Sequence, residues 1–150
     1  MKIVKFLLCA LVQWTWGILQ NIVGLVLFLV FIKNRHFVFR TSVVTSWKIS
    51  YSLGCGMFIF LNDTEIDKYS QEVNSKMDYD LLVHEYGHCL QSILLGPLFF
   101  PVIAIPSVIW ASVPYFQRLR KKKGLSYYHL YCEKWANKFG DRVCENKRVF

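Results

Sequence analysis

Asp78-Tyr79-Asp80-Leu81-Leu82-Val83-His84-Glu85-Tyr86-Gly87-His88-Cys89-Leu90-Gln91-Ser92-Ile93-Leu94-Leu95 decides the reading of this 150-residue chain. The stretch predicts a helix over 78–95, with Asp78 as N-cap and the Gly96-Pro97 pair as its stop. Within it His84 and His88 stand at i and i+4, one turn apart on one face, with Glu85 between them. Two imidazoles so placed reach one Zn²⁺ at about 2.0–2.1 Å, and the intervening carboxylate reaches a water beside it. Glu85 is therefore read as a base and not as a ligand. Given the 4 histidines and 5 glutamates of the chain, H-E-x-x-H arises by chance about four times in a thousand. The competing reading is a pair of structural histidines.

Working outward, the chain is 54% apolar, 17% aromatic and only 19% charged, which excludes a disordered protein. Two stretches, Phe6 to Ile32 and Cys89 to Gln117, run 27 and 29 residues without a charge or a histidine. A bilayer core needs about 20 apolar residues in a helix, so both are candidate membrane segments. Residues 3–32 read as a long membrane helix, and Gln13, Gln20 and Asn21 within it imply packing against protein. A signal peptide is disfavoured because the apolar run is too long and lacks a small-residue cleavage site. A lipoprotein anchor at Cys9 is disfavoured by the bulky Leu8 before it. All four prolines, at 97, 101, 106 and 114, fall in the second stretch, so 96–117 is expected to be a broken, re-entrant or membrane segment.

The net charge of +8 is distributed as flanks, not as a nucleic-acid footprint. Lys33, Arg35 and Arg40 follow the first apolar stretch, and Arg118, Arg120, Lys121, Lys122 and Lys123 follow the second, where topology-setting charges sit. The lipid bilayer is the expected partner, and no nucleic acid. If both clusters are cytoplasmic and only the first stretch crosses, the second enters and leaves on one side, with the site on the cytoplasmic side. Five cysteines without a C-x-x-C pair offer neither a disulfide framework nor a thiolate cage.

Residues 37–61 read as a β-hairpin region. Trp47 to Leu53 alternates with period two, Gly54-Cys55-Gly56 turns, and Met57 to Leu61 returns, with Phe37 to Val44 as an added strand. The Met57 to Leu61 strand is either a core strand or a free edge on which an extended substrate pairs. Asn62 to Asp80, with six of the ten acidic residues, is a soluble connection. The fold class expected is thus an α+β membrane protein forming one domain over 1–150, closed by a helix over 126–140.

A catalytic zinc needs a third protein ligand and an open position. Downstream of His88 only His129, Glu133, Asp141 and Glu145 are available, and a helix through 127–139 places His129, Glu133 and Asn137 on one face. His129 reads as a replacement ligand, as a hydrogen-bond donor to a developing oxyanion, or as an ordinary amphipathic residue, with Tyr127, Tyr128 and Tyr131 as rival donors.

His84, Glu85 and His88, followed 45 residues after His88 by Glu133-Lys134-Trp135-Ala136-Asn137, resemble the gluzincin zinc metallopeptidases, their membrane-embedded members above all. In that family the later glutamate of an E-x-x-A-D setting is the third ligand, and its final acid supports a ligating histidine. The resemblance implies Glu133 as ligand and Asn137 as the support, with Asn standing where the family has Asp. An amide accepts the imidazole N–H but adds no negative charge. The implied activity is zinc-dependent hydrolysis of a peptide or membrane-protein substrate, Glu85 taking a proton from water and passing it to the leaving amine. The alternative is a non-catalytic membrane protein in which a metal, or none, fastens helices. A fourth protein ligand, from His129 or a cysteine, would mark that case.

Overall fold

Residues 2–63 and 75–146 are described by the computed structural model, so much of the acidic connection expected over 62–80 lies outside the described residues. The architecture is mixed α and β, with a four-stranded sheet between two helical layers. Four strands, β1 (His36–Phe39), β2 (Ser42–Trp47), β3 (Leu53–Cys55) and β4 (Phe58–Asn62), lie in the order β1-β2-β4-β3. The outer pairs are antiparallel hairpins, and β2 runs parallel to β4. Alternation along β4 builds both cores. Phe58 and Phe60 join Trp47 and Met57 against α1 (Lys2–Thr15) and α2 (Ile18–Val30), while Ile59 and Leu61 join Val44 against α3 (Lys76–Leu95).

The β region departs from expectation in two ways. The alternating run Trp47 to Leu53 is not a strand: residues 48–52 fold over Trp47, whose indole donates to the Tyr51 carbonyl at 2.8 Å and stacks on Phe60. The Phe37 to Val44 stretch instead makes β1 and part of β2, turning between them at Arg40 and Thr41. In addition, of the two readings left open for Met57 to Leu61 the core strand is the one observed: β4 is paired on both sides, and β3 is the edge strand.

The single long helix expected over 3–32 is two helices, bent by 104° at Trp16-Gly17. Long-range hydrogen bonds hold the break. Asn21 Nδ2 takes the Gln13 and Gly17 carbonyls at 2.6 and 3.0 Å, and Gln13 and Gln20 donate to Cys89 O and Gly96 O at 3.1 and 3.0 Å. The polar residues of this stretch do pack against protein, as expected.

The cap of helix α3 lies three residues before the expected one. Ser75 is the N-cap, accepting from the Asp78 N–H at 3.2 Å, and Asp78 occupies the first turn. It stops at Gly96, as expected. The following stretch is broken, also as expected: a 3₁₀ turn over Gly96–Leu98, a π turn over Phe100–Ala104, then α4 (Ile105–Ser112) and α5 (Pro114–Lys123). Its prolines sit in the first turn of each piece, where a missing N–H costs nothing. No single helix among the described residues is long and apolar enough to cross a membrane. Two bent pairs, Phe6–Thr15 with Ile18–Val30 and Lys76–Leu98 with Phe100–Ser112, meet that test together.

The closing helix, α6, spans Tyr131–Cys144 and follows a 3₁₀ turn at Tyr127–His129. It crosses α3 at backbone contact. A methyl group at Gly87 would lie 2.0 Å from the Ala136 carbonyl oxygen, and one at Gly140 would lie 2.2 Å from that of Val83. Gly87→Ala is expected to destabilise the protein by about 1–3 kcal/mol through overpacking. Thermal unfolding checks this, and an unchanged midpoint would mean the crossing has slack.

Candidate metal centre

The crossing carries Glu133, in the first turn of α6, over the two histidines of α3. Glu133 Oε2 lies 3.0 Å from His84 Nε2 and 3.5 Å from His88 Nε2, and all three side chains are buried. Ligand atoms of a tetrahedral zinc site with bonds of about 2.0–2.1 Å lie about 3.3 Å apart, so the spacing suits one small cation. The three ligand atoms fall within 4.8 Å of one another, and no other such group of His, Cys, Asp or Glu occurs among the described residues.

The far sides of the rings fix their near sides. Gln91 Nε2 donates to the Cys132 carbonyl at 2.9 Å, and a carbonyl only accepts, so the amide oxygen must face His88 Nδ1, which it meets at 2.8 Å. Neutral His88 then carries its proton on Nδ1 and turns the Nε2 lone pair toward Glu133. Asn137 Oδ1 does the same for His84, at 2.6 Å from its Nδ1. Two lone pairs and a carboxylate oxygen converge, an arrangement that repels itself unless a cation lies among them. Glu133 Oε2 is accordingly buried with no hydrogen bond. His84, His88 and Glu133 fit a metal ion on these grounds.

In the metal-free protein a proton on the imidazole side takes the place of a cation: burial opposes ionisation of Glu133, but hydrogen bonding and positive charge from the two imidazoles outweigh it and hold its carboxyl well below the usual carboxylate range. Its other oxygen, Oε1, faces the Cys132 thiol at 3.6 Å. Burial, with the adjacent Glu133 charge, pushes that thiol up to about 12, so Cys132 is a donor to the carboxylate. Burial and the same charge also push the Tyr127 phenol up, which keeps its proton available.

A cavity of about 380 Å³ opens beside the group and is bordered by His84, Glu85, His88 and Tyr127. Glu85, 5% exposed, faces it next to both histidines, and Gly54 of β3 packs on the Glu85 main chain. The expected site residues His84, Glu85, His88, Glu133 and Asn137 are therefore together. His129 is not with them. Leu130 is extended, which breaks the helix assumed through 127–139, and His129 is exposed and outside the cavity lining. Tyr127 takes the place facing the cavity, its hydroxyl 3.0 Å from Ser107 Oγ, and the Tyr128 ring lies edge-on to His84 at 5.0 Å. Gln91 is a support that the sequence does not single out: its position at i+3 from His88 allows the contact, and the Cys132 carbonyl decides it.

No protein-family model matches the chain, and no curated protein or solved structure matches it.

Gln91→Leu and Asn137→Leu each remove one imidazole support and are expected to weaken zinc binding roughly 10- to 100-fold. Competition with a chromophoric chelator measures this, and unchanged affinity in both variants would show that the rings are held by other means.

Proposed function

We propose that this protein is a membrane-embedded zinc peptidase of the gluzincin type, with His84, His88 and Glu133 as ligands and Glu85 as general base. The observation that carries the reading is the convergence of three buried side chains with ligand atoms, two imidazoles and a carboxylate, beside a cavity that holds one further carboxylate. Bound there, zinc would polarise a scissile carbonyl and acidify the attacking water.

The chain's own residues supply the remainder. Glu85 takes the proton of the attacking water and returns it to the leaving amine. Tyr127 donates its hydroxyl to the carbonyl oxygen as negative charge develops. Residues 52–55, along the edge strand, border the cavity and run beside an extended substrate backbone. A metal that only fastened helices would be closed by a fourth protein ligand, whereas the described residues contribute three.

The membrane part of the proposal rests on exposed apolar side chains, among them Leu7, Leu11, Ile22, Val26, Leu29, Ile105 and Val108, together with the two bent helix pairs. Uncharged surface of this kind suits acyl chains, and the flanking basic clusters favour a site on the cytoplasmic side. Substrates are peptides or membrane proteins.

Glu85→Gln is expected to keep zinc and to lose hydrolysis by roughly 10²- to 10⁴-fold, measured as metal content and peptide turnover of the purified protein. Tyr127→Phe should lower kcat by roughly 10²-fold with zinc retained, while His129→Ala leaves turnover unchanged. Chelation should abolish activity and added zinc restore it. Undiminished turnover in the Glu85→Gln variant would overturn the assignment.

A further inference from the structure

The cavity beside Glu85 has two unlike ends. Its inner end carries the polar groups: His84, Glu85 and His88 from α3, the Tyr127 side chain, and Ser107 within hydrogen-bond reach of the Tyr127 hydroxyl. Its wall is Phe99, Phe100, Ile103 and Ala104. Its rim is formed by Val23 of α2 and by Ile105, Val108 and Ile109 of α4, which are 41, 52, 59 and 42% exposed. No Lys, Arg or Asp borders it at any depth, and Glu85 is its one acid. The rim side chains belong to the same exposed apolar surface that continues along α2 through Ile22, Val26 and Leu29.

We infer that the mouth between α2 and α4 faces the acyl chains, and that the protein takes an apolar polypeptide segment sideways from the bilayer, not a polar peptide from water. This rests on the peptidase reading of the same site. The physical argument is one of desolvation. A polar chain would leave water to pass an uncharged, branched-aliphatic rim that offers no hydrogen bond. An apolar chain already in lipid passes the same rim without that cost and meets polar partners only at the inner end. Because a helix has its carbonyls engaged, the segment must be locally extended at the cleaved bond, where the edge strand β3 borders the cavity and its Gly54 N–H is held by the Glu85 carboxylate.

The test uses full-length protein in vesicles of phosphatidylcholine and phosphatidylglycerol. A Cys9→Ser background removes the one cysteine that is not buried. Val108→Cys, Ile109→Cys and, as a water-facing control, Arg118→Cys are each labelled with bimane. Nitroxide-bearing phosphatidylcholine is expected to quench the labels at 108 and 109 several-fold more than aqueous iodide does, with the reverse order at 118. Iodide quenching at 108 and 109 that equals the control would overturn the inference.

A second measurement compares two fluorogenic peptides sharing one scissile sequence, a membrane-inserted apolar helix of about 20 residues and a short charged soluble peptide. Cleavage of the inserted peptide at least tenfold faster supports the inference, and equal or reversed rates overturn it. If neither peptide is cleaved while the lipid quenching is as expected, the peptidase reading fails and the lipid-facing mouth stands. If the soluble peptide is cleaved and iodide quenches, the peptidase reading stands and the mouth is wrong.

Discussion

The close crossing of α3 and α6 is the constraint on which the rest of the structure depends. The helices run antiparallel, and their register can be followed from end to end. Asn146 bonds Asp80, Gly140 meets Val83, Asn137 meets His84, Ala136 meets Gly87, and the Cys132 carbonyl meets Gln91. Two of these contacts are backbone against backbone, which is possible only because Gly87 and Gly140 have no side chain there. With the axes so close, the short Glu133 side chain reaches both imidazoles without leaving the helix. Any larger residue at 87 would widen the crossing at the level of His84, His88 and Glu133.

That crossing also sets an energetic tension. A buried carboxylate and two buried imidazoles cost free energy unless paired, and here the supports behind the rings aim their lone pairs at the carboxylate. Without metal, a proton on one imidazole relieves the conflict. A cation among the three groups would relieve it fully, and its binding would then be linked to the stability of the α3/α6 pair. The features that make a poor hydrophobic core are those of a group that could hold a metal ion.

Much of this was legible in the residues alone. The His84 to His88 spacing, the Gly96-Pro97 stop, the proline-broken stretch and the pairing of Glu133 with Asn137 all follow from local chemistry or from a short motif, and all are present. What was not legible depends on partners far away in the chain. The alternating run 47–53 resembles a strand, but the Trp47 indole captures the Tyr51 carbonyl and curls the segment out of the sheet. His129 shares a face with Glu133 only if the helix is continuous, and the extended Leu130 resets the register. Gln91 is recognisable as a support only once the Cys132 carbonyl, 41 residues on, fixes which way its amide points.

The break in the first apolar stretch ties these levels together. Gln13, Gln20 and Asn21 are buried among apolar helices, yet their amides take carbonyls of α1, α3 and the Gly96 turn, and Asn21 Oδ1 accepts the Met57 N–H at 2.9 Å. Main-chain groups freed at a bend must be satisfied inside the protein if lipid surrounds it, and these three side chains do that. The two bends also touch, because the Trp16 ring covers Gly96 so closely that a methyl there would lie 2.4 Å from it. A straight helix over 3–32 would carry α2 away from the site. The bend instead brings Val23 to the rim of the cavity that Glu85 faces, so the polar residues that interrupt the apolar run also build one wall of the mouth.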